Sequence, residues 1–162
     1  MEIRRFQDTD AVPLAEMIAE TLRTTNIHDY TPEQMEEVIR TLSPEVLKER
    51  AAGGHSYVVT DGEMSIGCGT IAPYWGSLTE SIFLTIFVKP AYQKKGIGRK
   101  IIETLEQDEY FLRAVRVEIP ASKTAADFYR KFGYANKQGF DSSQPHLHIP
   151  LEKFCAPKGE NV

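Results

Sequence analysis

The stretch from 81 to 88, Ser-Ile-Phe-Leu-Thr-Ile-Phe-Val, most constrains how this chain can fold. It is almost continuously apolar and β-branched, which is the pattern of a strand buried on both faces rather than one. Such a strand needs layers above and below it, so helices must cover both sides of its sheet. The residues after it agree. Lys89 to Lys95 leave the sheet, Gly96-Ile97-Gly98 forms a turn, and Ile101, Ile102 and Leu105 then recur at helical spacing. A second strand pattern arrives at 116–119.

The flanking segments fill in the rest. Residues 2–6 read as a short strand, followed by a helix carrying Leu14, Met17, Ile18 and Leu22. Thr31-Pro32-Glu33-Gln34 is a capping box with proline at the first helical position. Ser43-Pro44-Glu45 opens a third helix, which ends before Gly53-Gly54. Strands at 56–60 and 64–72 flank the hairpin turn Asp61-Gly62. Ser122 is placed to cap a helix containing Ala125, Ala126, Phe128, Tyr129 and Phe132, and Gly133 stops it. Residues 134–138 and 146–151 read as a closing hairpin. The expectation is a single α/β domain over 1–154, with a mixed central sheet of about seven strands and helices on both faces. A polar tail occupies 155–162.

Several function classes are excluded by composition. Nineteen basic against twenty-three acidic residues give a formal net charge of −4, without the basic surface that nucleic acid requires. No apolar run approaches the roughly 20 residues that span a bilayer, and the first residues carry no apolar leader. Cys68 and Cys155 share no metal or redox spacing, which suits a reducing cytoplasm. His28, His55, His146 and His148 show no metal-binding spacing either, although a strand at 146–151 would put His146 and His148 on one face. No metal is expected.

The chemistry concentrates at the glycine turn. Where a buried strand ends and a helix begins, the first amides lack intrahelical acceptors and carry partial positive charge. They suit a pyrophosphate, and glycine at 96 and 98 allows close approach. The turn is neither a dinucleotide fingerprint, which needs glycine where Ile101 stands, nor a P-loop, which needs Gly-Lys-Ser/Thr.

Gln93-Lys94-Lys95-Gly96-Ile97-Gly98 resembles the Q/R-x-x-G-x-G/A motif of the GNAT superfamily of N-acetyltransferases. Val88-Lys89-Pro90-Ala91-Tyr92 before it, and Ala125 to Tyr134 after it, are similar to the family's V-x-P-x-Y and A-x-x-F/Y-Y-x-K-x-G-F/Y. The resemblance implies a GNAT-like fold with a splayed central strand, and acetyl-CoA as co-substrate. It implies backbone pairing of Ile86, Phe87 and Val88 with the pantetheine arm, and amides from Gln93 through Lys94, Lys95, Gly96, Ile97, Gly98 and Arg99 on the pyrophosphate. Lys94, Lys95, Arg99 and Lys100 are candidates for the ribose phosphate. Tyr129 is the candidate general acid for the departing thiolate.

Two positions depart from the family pattern. Ser122 stands where many relatives place an asparagine, and it either contacts the pantetheine or only caps its helix. Glu118 lies one residue off the family's glutamate, so Glu118, Glu80 and a water chain all remain candidates for the base. The acceptor site falls to 24–30, Tyr74-Trp75 and 138–148, where Tyr30, Tyr74 and Trp75 are candidates to stack on a substrate. The implied reaction is direct attack of a primary amine on the thioester, with a small-molecule amine as acceptor. The alternatives are a protein lysine or N-terminal acetyltransferase, and an inactive acyl-CoA-binding sensor. A homodimer through the C-terminal strands is the expected association.

Overall fold

The structure, a computed structural model, describes residues 1–155. The chain runs β1 (Glu2–Arg5), α1 (Ala11–Thr25), α2 (Pro32–Arg40), α3 (Pro44–Ala52), β2 (His55–Asp61), β3 (Met64–Pro73) and β4 (Glu80–Val88). It continues through α4 (Ile97–Leu105), α5 (Glu109–Leu112), β5 (Arg116–Ala121), α6 (Ala126–Arg130), β6 (Ala135–Asn136) and β7 (Ile149–Phe154). The seven strands form one mixed sheet in the order β1-β2-β3-β4-β5-β7-β6. Only β4 and β5 pair in parallel.

Local chemistry sets many of these boundaries. Thr31 Oγ1 accepts from Gln34 N while Gln34 Oε1 accepts from Thr31 N, which closes the expected capping box on α2. Ser43 Oγ caps α3 in the same way through Val46 N. Successive residues of β2 then point to opposite faces. Val59 joins a core with Ile97, Ile101, Ile102 and Leu105 of α4 and Ala126 and Tyr129 of α6. Val58 joins a second core with α1, α2, α3 and Cys68. The sheet therefore has helices on both faces.

Three elements differ from the sequence expectation. The short helix α5 had no periodic signal because it has only four residues; Asp108 starts it by accepting from Tyr110 N. Helix α6 starts at Ala126, not beside Ser122, because Ser122 closes a separate turn by accepting from Ala125 N. The last hairpin is also shifted toward the C-terminus. His146 and His148 lie before β7, not in it, because Asp141 folds the preceding loop around Ser143 N and Oγ. Of the 155–162 tail, Cys155 still extends the sheet by donating its backbone N–H to Val115 O, and 156–162 lie outside the described residues.

The middle of β4 organises the surface around it. Cys68 of β3 faces Phe87 and Thr70 faces Leu84, so Gly69 stands opposite two residues, Thr85 and Ile86. This is a bulge, and Thr85 sits in it at φ 57°. Left-handed backbone costs a β-branched residue roughly 1–2 kcal/mol, so neighbours must hold it. Cys68 Sγ reaches Thr85 O at 3.2 Å, and Arg50 Nη1 donates to Thr85 Oγ1 at 2.7 Å. Beyond Ile82 and Glu118, β4 and β5 no longer pair.

Helix α3 reaches this bulge because its C-terminus packs tightly on β3. A Cβ on Gly54 would lie 2.4 Å from Ile71 O and 2.8 Å from Ala72 Cβ. Gly54→Ala is therefore expected to lower the unfolding free energy by about 1–3 kcal/mol. Urea denaturation followed by circular dichroism checks this, and an unchanged midpoint would show that the joint between α3 and β2 yields freely.

Candidate active site

The turn between β4 and α4 presents a run of unpartnered amides that can hold an anion. Lys94 and Gly96 both have left-handed backbone, at φ 61° and 87°, with Lys95 between them. Alternation of this kind points successive amides into one hollow. The amides of Lys94, Lys95, Gly96, Ile97, Gly98 and Arg99 find no acceptor among the described residues; Lys100 N is the first to bond back, to Gly96 O. The Gln93 side chain pins the turn from behind, its Nε2 donating to Val88 O and to Thr25 Oγ1 at the end of α1.

The two glycines have different reasons. Gly96 has open space where a Cβ would be, so its conformation and the approach of a ligand require it. A Cβ on Gly98 would lie 2.9 Å from Phe128 Cζ, so that glycine lets α4 pack on α6. Ile97 contributes its amide to the hollow while its side chain is buried in the core. Lys94, Lys95, Arg99 and Lys100 are all exposed around the turn. Lys95 lies over the Tyr92 ring and Arg99 over Phe132.

The separation of β4 from β5 leaves one backbone edge of β4 free along Ile86, Phe87 and Val88, while the other edge stays paired to β3. Tyr129 stands on the α4–α6 side of this gap, buried with Ala126 and Ile97. Its hydroxyl has no hydrogen-bond partner among the described residues, yet it is not sealed away; Arg113 Nε is the only fully enclosed side-chain atom among them that lacks a partner. Burial, and secondarily the Cys68 thiol, push the Tyr129 hydroxyl well above the usual phenol value, so it is protonated at neutral pH.

Across the sheet the surface is ionic. Val117, Ile119 and Ala121 face the core that holds Tyr129, so Arg116, Glu118 and Pro120 face the opposite way. Arg116 donates to Glu152 Oε1 at 2.7 Å, to Glu80 Oε1 at 2.8 Å and to Glu118. Lys137 Nζ lies 2.8 Å from Glu118 and 3.4 Å from Tyr74 Oη, and the Tyr74 ring covers the Arg116 guanidinium. Burial by itself would lower the Arg116 pKa, but the hydrogen bonds to Glu152, Glu118 and Glu80 outweigh it and raise it. Both candidate bases, Glu118 and Glu80, are thus tied to Arg116. Trp75 projects into solvent and stacks on nothing but the edge of Tyr74.

The segment between α1 and α2 crosses toward the end of β5 and is fastened there. Asn26 Nδ2 donates to Ser122 Oγ at 3.2 Å, Asp29 accepts from Thr124 Oγ1 at 2.8 Å, and Tyr30 Oη lies 2.9 Å from His148 Nε2. Ser122 is thereby engaged as a turn closure and a loop anchor. Burial pushes the Tyr30 hydroxyl up to about 12 and lowers the His148 pKa, so this contact joins a phenol to a neutral imidazole. Among the described residues no group of three or more His, Cys, Asp or Glu is arranged to hold a metal, and no helix is long and apolar enough to cross a membrane.

A family model described as an acetyltransferase (GNAT) domain matches residues 52–136. The chain belongs to the GNAT acetyltransferase family. The match covers the bulge, the glycine turn, Glu118 and Tyr129, but not α1 and α2. Solved structures share the GNAT fold well beyond it. The PaiA N-acetyltransferase of Thermoplasma acidophilum, in complex with coenzyme A, superposes with a TM-score of 0.79 at 20% identity, over 95% of this chain and 98% of that one. A GCN5-related N-acetyltransferase of Rhodopseudomonas palustris gives 0.76 at 21% identity, over 95% of both chains. An aminoglycoside 6'-N-acetyltransferase complexed with coenzyme A gives 0.65 at 17% identity, over 98% of this chain and 99% of that one. No sequence among the curated proteins matches this GNAT chain.

Arg50, Arg116, Lys137, Glu152, Asn26 and Asp29 were not singled out from the sequence. Arg116 and Glu118 did carry a signal, since two opposite charges two apart in an apolar strand share a face. Glu152 joins them only through the register that sets Glu118 opposite it. Burial works to raise the Glu152 pKa, but Arg116 and Gln138 N overcome this and leave it lowered. A lowered carboxyl stabilises the fold above its usual value of 4.5, and that stability is lost as pH falls through the folded value. Glu152→Gln should cost about 3 kcal/mol at pH 7 and flatten the decline in stability below pH 4.5. Guanidinium denaturation across a pH series measures both, and an unaltered acid limb would detach Glu152 from the ion cluster's stability.

Proposed function

We propose that this protein is an acetyl-CoA-dependent N-acetyltransferase that acts on a small primary amine. The observation that carries this reading is the run of six unpartnered amides, Lys94 to Arg99, next to a β4 edge that β5 has left. One suits the pyrophosphate and the other an extended amide-bearing arm, which Ile86, Phe87 and Val88 pair as an added strand would. The coenzyme A complexes of two fold neighbours support the same ligand.

Acetyl-CoA supplies an activated thioester. In this reading the Tyr129 hydroxyl, unpartnered and protonated, donates to the sulfur as the thiolate leaves. The amine approaches from the opposite face of the sheet, where Glu118 is the candidate to take up its proton through water. The loop fastened by Asn26, Asp29 and Tyr30 narrows that approach, which supports a small acceptor over a peptide. Two free cysteines are consistent with action in a reducing cytoplasm.

Two experiments test the reading. Saturating acetyl-CoA should raise the thermal midpoint, and Gly96→Glu should abolish that rise by placing a carboxylate in the phosphate hollow. A wild type with no thermal shift and no calorimetric binding would sink the proposal. Tyr129→Phe should leave coenzyme affinity nearly unchanged and reduce turnover by roughly 10²–10⁴-fold. Thiol release at saturating acetyl-CoA measures it, and undiminished turnover would reduce Tyr129 to a packing residue.

A further inference from the structure

The floor of the proposed acceptor site is the part of the sheet that α1, α2 and α3 leave uncovered. Ile82 and Leu84 of β4 face it with Glu118 and Pro120 of β5, and all but Glu118 retain solvent contact. The ion cluster around Arg116 closes one end, and Tyr30 with His148 lies toward the other. From the end of α3 Arg50 reaches the bulge at Thr85.

Arg50 is the charge on this surface that no carboxylate among the described residues answers. It is half-buried, and burial alone lowers its pKa; no carboxylate pairs with it among the described residues. Its one bond is Nη1 to the neutral hydroxyl of Thr85. Its other nitrogens have no partner, and none of them is sealed from solvent. The carboxylates of the ion cluster, Glu80, Glu118 and Glu152, are all held by Arg116, and Glu118 also by Lys137. A partly desolvated guanidinium is costly unless paired, and the C-terminal turn of α3 offsets only a fraction of that cost. Its planar fork, with one corner tied to Thr85, leaves Nε and Nη2 for a carboxylate.

We infer that Arg50 binds a carboxylate of the acceptor, so that the substrate is an amine that also carries a carboxylate, as an amino acid does. This rests on the acetyltransfer reading and narrows its acceptor class. Held by Arg50, the acceptor's carboxylate is anchored beside the bulge while its amine lies over the β4 edge where the thioester would end.

The test compares acceptors that share an amine and differ in charge. Thiol release is followed at saturating acetyl-CoA with a panel of amino acids and their carboxamides, at matched concentrations of free amine. Wild type should favour the carboxylates by about 10- to 100-fold in kcat/KM. Arg50→Gln should erase that preference mainly through KM, and Arg50→Lys should restore part of it; any fall in the coenzyme's calorimetric affinity, which the bulge supports, acts on both acceptor forms equally and leaves the preference intact as the readout. Equal use of both acceptor forms by wild type overturns the inference. So does an Arg50→Gln variant that slows both forms alike, because that marks a residue serving only the bulge. Coenzyme binding with no carboxylated acceptor turned over overturns this inference alone. Failure to bind acetyl-CoA overturns the acetyltransfer reading, and this inference with it.

Discussion

Backbone amides withdrawn from water must find partners, and β4 is arranged so that one of its edges finds none past Ile82 among the described residues. Three residue pairs tie β4 to β5, after which the strands part. The parted stretch then carries a bulge on its other edge, where Thr85 is β-branched and left-handed, a combination that needs support from its neighbours. That support comes from outside the strand: Arg50 holds the hydroxyl and Cys68 the carbonyl. The glycine turn a few residues later presents a second set of unanswered amides. Together they form a continuous backbone surface that a ligand with phosphates at one end and amides along its length would complete.

The sheet divides the chemistry between its faces. On one side Tyr129 is enclosed by apolar neighbours, which keep its hydroxyl protonated. On the other, Arg116 gathers three glutamates, and Lys137 and Tyr74 complete the cluster. The proposed proton donor and the candidate proton acceptor thereby lie on opposite faces of the sheet, with the proposed thioester position between them. The α1–α2 segment packs Tyr30 against the core beneath α1, α2 and α3, and its bonds to Ser122, Thr124 and His148 fasten it over the proposed acceptor side.

Much of the coenzyme side was legible because its signals are local. Gly96 needs a left-handed conformation, the amides after it need an acceptor, and both emerge from a strand, a turn and a helix start read in order. Gly98 shows the limit of that reading. Its neighbour in space is Phe128, thirty residues on, and the glycine serves helix packing there. The sequence leaves Ser122 between two roles, and the structure engages it with Asn26 and Ala125 N, partners that only the folded loop brings near. His146 and His148 read as strand neighbours, but a turn nucleated by Asp141 moves the strand past them.

The sequence by itself determined the layered α/β architecture, the central strand, the phosphate turn and the tyrosine of α6, because hydrophobic period and turn chemistry act between residues close in the chain. Tertiary structure alone decided which long-range pairs line the proposed acceptor side. Arg50 meets Thr85 across thirty-five positions, Arg116 meets Glu152 across thirty-six, and Tyr30 meets His148 across one hundred and eighteen. No periodicity encodes such pairs, since each depends on strand order, register and the packing of a helix end. Their energies come from burial and charge at a specific distance, quantities that exist only once the chain has closed.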